Sequence, residues 1–184
     1  MRYLQYRTFM KMRSETCRAQ TLLFGPSRSG KTFLTARFRE LGAEAYDAQA
    51  EGLCSWTNDT SGAPAEYPVQ PSKEWLQENH FTIAKEGLSR FLEERRSLIM
   101  LGHAWNILDV LEQFDKCFYL YTPPEELERR FGLDRGADGL IRPATIAFHR
   151  ELHAERLAQV LDLGLSILDT TQPAEVLLEK TVTS

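Results

Sequence analysis

Residues 25–32 read Gly25-Pro26-Ser27-Arg28-Ser29-Gly30-Lys31-Thr32. The stretch matches GxxxxGK[ST] at every fixed position, and this reading decides the fold. Glycines at the two ends let the backbone wrap closely around a phosphate chain. The loop N–H groups and the start of the helix behind them supply partial positive charge. In this pattern Lys31 reaches the β- and γ-phosphates, and the Thr32 hydroxyl ligates Mg²⁺. A match arises by chance in a chain this long on the order of once in a hundred. Here a β-rich run, residues 21–24 (TLLF), precedes the loop, and Leu34, Phe38 and Leu41 follow it at i, i+4 and i+7. Strand, glycine loop and helix are the context that the motif requires. Arg28 has no role fixed by the pattern; it touches nucleotide or faces solvent.

Outward from the loop, short apolar runs alternate with helical patterns, as in a parallel sheet covered by helices. Gly42 stops the first helix. Residues 43–47 (AEAYD) form a second strand. A polar, Gly- and Pro-punctuated segment follows to residue 71. Ala84, Leu88, Phe91 and Leu92 mark a helix face, and residues 97–101 (SLIML) a buried strand. Ile107, Val110, Leu111 and Phe114 form the next helix face, and residues 116–121 (KCFYLY) the fourth strand. Pro123-Pro124-Glu125-Glu126 opens a helix. Residues 132–143 are rich in Gly, Arg and Asp and read as a lid loop. Ala154, Leu157, Ala158 and Leu161 predict a long helix, residues 165–168 a fifth strand, and Pro173 the start of a final helix. Ligands bind such sheets at the carboxyl ends of the strands.

The order of motifs resembles the small P-loop kinases, the group with adenylate, shikimate and gluconate kinases. More narrowly it resembles an uncharacterised bacterial family of kinase-like ATP-binding proteins. The matching residues are Asp47, Gly52-Leu53, Trp56, Gly62, Tyr67-Pro68, Trp75 and His80-Phe81, then Gly102, Asn106, Phe114-Asp115 and Leu120. The resemblance covers most of the chain after residue 20. It implies a P-loop NTPase of three α/β/α layers, with a five-stranded parallel sheet in the order 2-3-1-4-5 and a helical lid. It implies ATP and Mg²⁺ as cofactors and a small-molecule phosphoryl acceptor. The domain would run over residues 19–184, with residues 48–81 as an acceptor-side insertion and residues 132–143 as the lid.

Asp47 ends the second strand, beside the loop. A carboxylate there accepts a proton from a substrate hydroxyl or helps to hold Mg²⁺, a role that the resemblance to shikimate-type kinases supports. The plainer reading is that Asp47 caps the next turn. The third strand runs into Gly102-His103-Ala104-Trp105-Asn106, with no acid before Asp109. Many P-loop proteins support Mg²⁺ from that strand end, so support would fall to Asp47, and His103 or Asn106 would contact the acceptor. Trp56, Tyr67, Trp75 and Phe81 suit a ring-bearing acceptor, nucleoside-like in the sharpest reading, or form a small satellite core.

Arginines that close over a γ-phosphate stabilise its spreading charge. Arg130 and Arg135 are the first candidates, with Arg142 behind them. Glu125 with Arg129, and Glu126 with Arg130, are also i,i+4 pairs, worth a few tenths of a kcal/mol on a surface. His149 and His153 have the spacing of a zinc helix, but HRELH is not HExxH; the plain reading is a solvated face. Asp169-Thr170-Thr171 borders the adenine or caps a helix.

The bulk numbers narrow the class. The chain has 184 residues, 42% hydrophobic and 26% charged, with a net charge of −4. That fits one soluble domain without general attraction to nucleic acid or anionic membrane. No run approaches the roughly 18 apolar residues of a membrane span. Residues 1–18 form a basic arm, with Arg2, Arg7, Lys11, Arg13 and Arg18 against Glu15 and no apolar signal region. Cys17, Cys54 and Cys117 make neither a disulfide framework nor a zinc site. The expectation is a cytoplasmic kinase, monomer or homodimer, or else a nucleotide-binding regulatory module with little turnover.

Overall fold

The computed structural model describes residues 19–133 and 143–183. The first strand, β1 (Gln20–Phe24), leads through the glycine loop into α1 (Lys31–Glu40) and β2 (Ala45–Asp47). Next come β3 (Cys54–Asn58), α2 (Lys73–Glu78), β4 (Asn79–Ile83), α3 (Lys85–Glu93) and β5 (Leu98–Gly102). A 3₁₀ helix (Ile107–Gln113) leads to β6 (Lys116–Tyr121), α4 (Pro124–Leu133), α5 (Pro143–Asp162), β7 (Ser166–Asp169) and α6 (Ala174–Thr183). No helix among the described residues is long and apolar enough to cross a membrane.

Five strands form one sheet in the order β2-β5-β1-β6-β7, and every neighbouring pair is parallel. Counted among these five, the order is the expected 2-3-1-4-5. The labels differ because β3 and β4 intervene in sequence and pair antiparallel with each other in a separate hairpin. The sequence reading had no strands there.

Side chains alternate across the sheet, which makes two cores. Leu22, Phe24, Met100 and Tyr119 face α3, the 3₁₀ helix and α5 through Leu88, Ile107, Val110 and Val160. Leu23, Ile99, Leu101 and Leu120 face α1 and α6 through Leu34, Phe38, Leu177 and Leu178. These are the three layers that the resemblance implies. Each such side chain, taken wholly out of water, contributes about 1.5–3 kcal/mol before the cost of ordering it.

Two helical expectations are corrected. Residues 107–113 wind as a 3₁₀ helix, whose three-residue turn buries Ile107 and Val110 together. On α5 the expected face is right only in part: Leu157 packs against the core. Ala154, Ala158 and Leu161 are exposed, whereas His153 and Val160 are buried. The helix turns a polar stripe inward because a cavity and hydrogen-bond partners await it there.

Between β3 and β4, Trp56 packs on Tyr67, Trp75 and Phe81 with ring centroids 4.8, 5.0 and 5.6 Å away. These aromatics form a satellite core. Asn106 ties it to the sheet: its Oδ1 accepts from Ile83 N at 2.9 Å and its Nδ2 donates to Ile83 O at 3.1 Å. Both polar ends of Asn106 are thus engaged in structure.

Candidate functional site

The phosphate loop leaves β1 at Phe24 and passes close under β6. A Cβ on Gly25 would lie 2.6 Å from Leu120 O and 2.8 Å from Leu120 Cβ, so only glycine fits there. Gly30 has φ +91°, and the exposed Arg28 has φ +67°. Left-handed residues alternating with right-handed ones turn successive N–H groups toward one centre, a nest for an anion. Ser29 is buried within the loop and its N–H donates to Pro26 O at 3.2 Å.

Lys31 folds back onto the loop. Its Nζ donates to Pro26 O at 2.5 Å, to Gly25 O at 3.2 Å and to Ser29 Oγ at 3.2 Å. Enclosure of the ammonium lowers its pKa to about 7; Arg28 adds to the fall and Asp47 opposes it. A phosphate chain in the nest would favour the charged form again.

Thr32 and Asp47 meet. The Thr32 hydroxyl donates to Asp47 Oδ2 at 2.9 Å. The other oxygen, Oδ1, accepts from Gln49 N at 3.0 Å and Ala50 N at 3.3 Å. Asp47 therefore caps its turn and addresses the loop at once, so the two readings of the sequence do not exclude each other. The pair offers a hydroxyl and a carboxylate oxygen side by side. Such hard donors suit Mg²⁺, which is usually held by one or two protein oxygens plus water and phosphate. The end of β5 adds no acid: Gly102 is followed by His103, and Asp109 pairs with Lys85 at 3.5 Å on the 3₁₀ helix.

Arg130 crosses from α4 to the loop. Its Nη1 donates to Arg28 O at 3.2 Å and to Thr170 Oγ1 at 3.4 Å, and its Nε to Glu126 Oε1 at 2.7 Å. Arg129 instead binds Glu126 through Nε at 2.7 Å and Nη2 at 2.8 Å. The expected Glu125–Arg129 partnership is thus replaced by one acid serving two arginines. Arg129, then Arg130, holds the Glu126 carboxyl down at about 2. Asp169 Oδ1 accepts from Thr171 N and from its hydroxyl, each at 2.8 Å, which closes the turn after β7 rather than capping α6. Arg135 and Arg142 lie outside the described residues, as do the arm 1–18 and most of the segment 132–143.

A cavity opens beside Gly25, Pro26 and Ser27, walled by His103, His149, His153 and Arg156. The His103 ring stacks on Phe81 at 5.3 Å, and His149 on Phe131 at 5.8 Å. His153 Nδ1 shares a 2.7 Å hydrogen bond with the Tyr119 hydroxyl. Arg156 Nη2 donates to Trp105 O at 2.6 Å. Trp105 in turn stacks on His80 at 3.9 Å, and His80 Nδ1 pairs with Asp59 at 2.6 Å. The solvated face expected for His149 and His153 is therefore wrong: the two rings turn inward. The spacing of residues 149, 153 and 156 on one helical face was visible in the sequence, but polarity hid its direction. With Arg156, they are the lining residues that sequence reasoning missed.

No family model matches the chain, and no curated protein matches it. Solved structures do. A sugar kinase from a Janibacter species is similar at 22% identity and a TM-score of 0.51, over 89% of this chain and 92% of that one. A shikimate kinase from Acinetobacter baumannii, solved with shikimate, is similar at 21% identity and a TM-score of 0.56, over 92% and 94%. The chain has the fold of the small P-loop kinases. At these identities the likeness extends to the fold alone.

Proposed function

We propose that the chain is an ATP-dependent phosphotransferase that moves the γ-phosphoryl group to a small-molecule hydroxyl or phosphate acceptor. The observation that carries the reading is the Thr32–Asp47 hydrogen bond of 2.9 Å. It brings a strand-end carboxylate beside the phosphate loop to the residue that such loops use for the metal. The two similar structures are a sugar kinase and a shikimate kinase, whose named ligand types bear hydroxyls, which agrees with this choice.

In this reading the loop backbone from Gly25 to Thr32 cradles the triphosphate and Lys31 leaves its carbonyl partners to pair with it. Mg²⁺, held by Thr32 and Asp47, would neutralise charge on the phosphate oxygens. Asp47 takes the proton of the acceptor hydroxyl as the new P–O bond forms and the bond to the β-phosphate breaks, leaving ADP. Arg130, with Arg135 from the lid segment, steadies the charge on the transferred group.

ADP release from Mg·ATP across nucleosides, nucleotides, sugars and hydroxy acids tests the reading, with Lys31→Ala as control. One acceptor should raise release many-fold in the natural protein alone. A flat panel with ATP binding intact would favour a nucleotide-binding regulatory module. The missing acid at the end of β5 is the observation on that side.

A further inference from the structure

Two threonines close the strand ends beside Arg130. Thr122 follows β6 and Thr170 follows β7, one rung beyond the pairing of Tyr121 with Asp169. The Thr170 N–H donates to Tyr121 O at 2.8 Å, which keeps the two strands in register past their ends. There the two hydroxyls share a hydrogen bond of 2.8 Å, and Thr122 is fully buried. The residues that follow fix the turn. Asp169 Oδ1 holds Thr171, and Gln172 N donates to Asp169 O at 3.2 Å. Thr170 is thus held at its backbone, at its side chain and by the turn behind it.

Packing does not call for this pair. A buried hydroxyl gives up water, and its bond returns only about 0.5–1.5 kcal/mol net. Two valines would fill the same space at almost no cost, because replacing both partners by apolar groups of one shape is close to neutral. What the hydroxyls add lies on the other side of Thr170. Arg130 Nη1 donates to Thr170 Oγ1 at 3.4 Å and Nη2 to Thr170 O at 3.4 Å, while Nη1 also reaches Arg28 O at 3.2 Å. Glu126 holds only Nε, from the same helix. The far end of the guanidinium therefore depends on Thr170 and the phosphate loop. A hydroxyl oxygen has two lone pairs. Whichever threonine donates to the other, Thr170 Oγ1 keeps one for the arginine.

We propose that Thr122 and Thr170 are positioning residues for the nucleotide: the hydroxyl pair carries the rigidity of the β6–β7 rung to the Arg130 guanidinium and fixes it over the phosphate loop before ATP arrives. The proposal rests on the phosphotransferase reading above and on the role given there to Arg130. An arginine fixed in advance gives up its rotamer freedom once, on folding, and not again at each binding event. The pair acts only through Arg130. Where Arg130 is removed, the two hydroxyls have nothing left to position.

A mutant cycle on the full chain tests this. Thr122→Val, Thr170→Val and the double valine variant are made in the natural protein and in Arg130→Ala. Calorimetry reads Mg·ATP affinity, ADP release reads kcat and KM for ATP, and thermal melts read stability. In the natural background each valine should lower kcat/KM for ATP about threefold to tenfold, the scale of one hydrogen bond. The loss should divide between kcat and KM as it does for Arg130→Ala. Thr122→Ser and Thr170→Ser keep the hydroxyl and should hold the natural values. The double valine variant should melt near the natural temperature and still show the kinetic loss, which separates positioning from folding. In Arg130→Ala the valines should have no further effect. Equal losses with and without Arg130, serine as poor as valine, or natural kinetics in the double valine variant overturns the proposal and leaves the kinase reading standing. With a flat acceptor panel the cycle is read on Mg·ATP affinity. A loss there that vanishes in Arg130→Ala upholds the pair while the kinase reading falls, and affinity untouched by the valines overturns the pair.

Discussion

The Thr32 hydroxyl donates to Asp47 across 15 positions of sequence, at 2.9 Å. The bond joins the start of α1 to the end of β2, two elements whose meeting is dictated by β5 lying between β1 and β2 in the sheet. Asp47 spends its other oxygen on the turn that follows, and this double use lets its two roles be separated.

Asp47→Asn keeps an acceptor for Gln49 N and removes the carboxylate. Its melting temperature should stay near that of the natural protein, while turnover falls about 10²–10⁴-fold, the range of a lost general base. Asp47→Ala loses the turn as well, a further ~1 kcal/mol, or about 2–4 °C for a domain of this size. Thermal melts beside ADP release check both. Equal turnover in Asn and natural protein would reduce Asp47 to a cap.

Gly25→Ala should destabilise by about 1–3 kcal/mol, since the new methyl meets the Leu120 backbone and neither element can retreat without disturbing the sheet. ATP affinity should fall with it, because the loop must lift. A melt shifted by less than about 2 °C would mean that the loop yields freely.

Lys31 makes nucleotide binding proton-linked. With its free-state pKa lowered to about 7, the lysine is mostly neutral at pH 8. Phosphate favours the ammonium, so ATP binding at pH 8 should take up close to one proton from buffer. At pH 6 the lysine is already charged, and from it no uptake follows. Calorimetry in two buffers reads this directly, and Lys31→Met should abolish the uptake at pH 8.

The glycine loop and five alternating strands were legible because each leaves a local mark: spacing of two glycines, a lysine and a threonine, or a short apolar run with a breaker after it. The hairpin was not. Trp56, Tyr67, Trp75 and Phe81 stabilise one another across an intervening polar stretch, and pairing between distant short strands has no periodic signature. The cavity wall on α5 failed for a different reason. On α5 the exposed Leu161, 60% accessible, out-ranks His153 on any apolar scale. Yet His153 is the one buried, because Tyr119 satisfies its ring. Asn106 likewise reads in the sequence as a ligand-binding amide, whereas the structure gives each of its ends a bond to Ile83.

Asn106→Ala follows from that last point. It leaves the Ile83 N–H and C=O without their side-chain partner and should cost about 1–3 kcal/mol. The melt should drop and the hairpin amides exchange faster, while affinity for Mg·ATP is unchanged. A selective loss of acceptor affinity without a loss of stability would return Asn106 to the site.

Arg129 and Arg130 share Glu126 yet differ in reach. Arg129 ends at that carboxylate, exposed, whereas Arg130 continues to Arg28 O and Thr170. Surface pairs of the first kind contribute a few tenths of a kcal/mol, so Arg129→Ala should leave turnover and melting near the natural values. Arg130→Ala should lower turnover about tenfold or more, the scale of one lost charged contact. Arg130→Lys keeps the charge and loses the fork that spans Arg28 O and Thr170, so it should rescue only part of the rate. Comparing kcat and KM for ATP in the three variants decides the matter. Equal effects of Arg129→Ala and Arg130→Ala would mean that both arginines serve α4 alone.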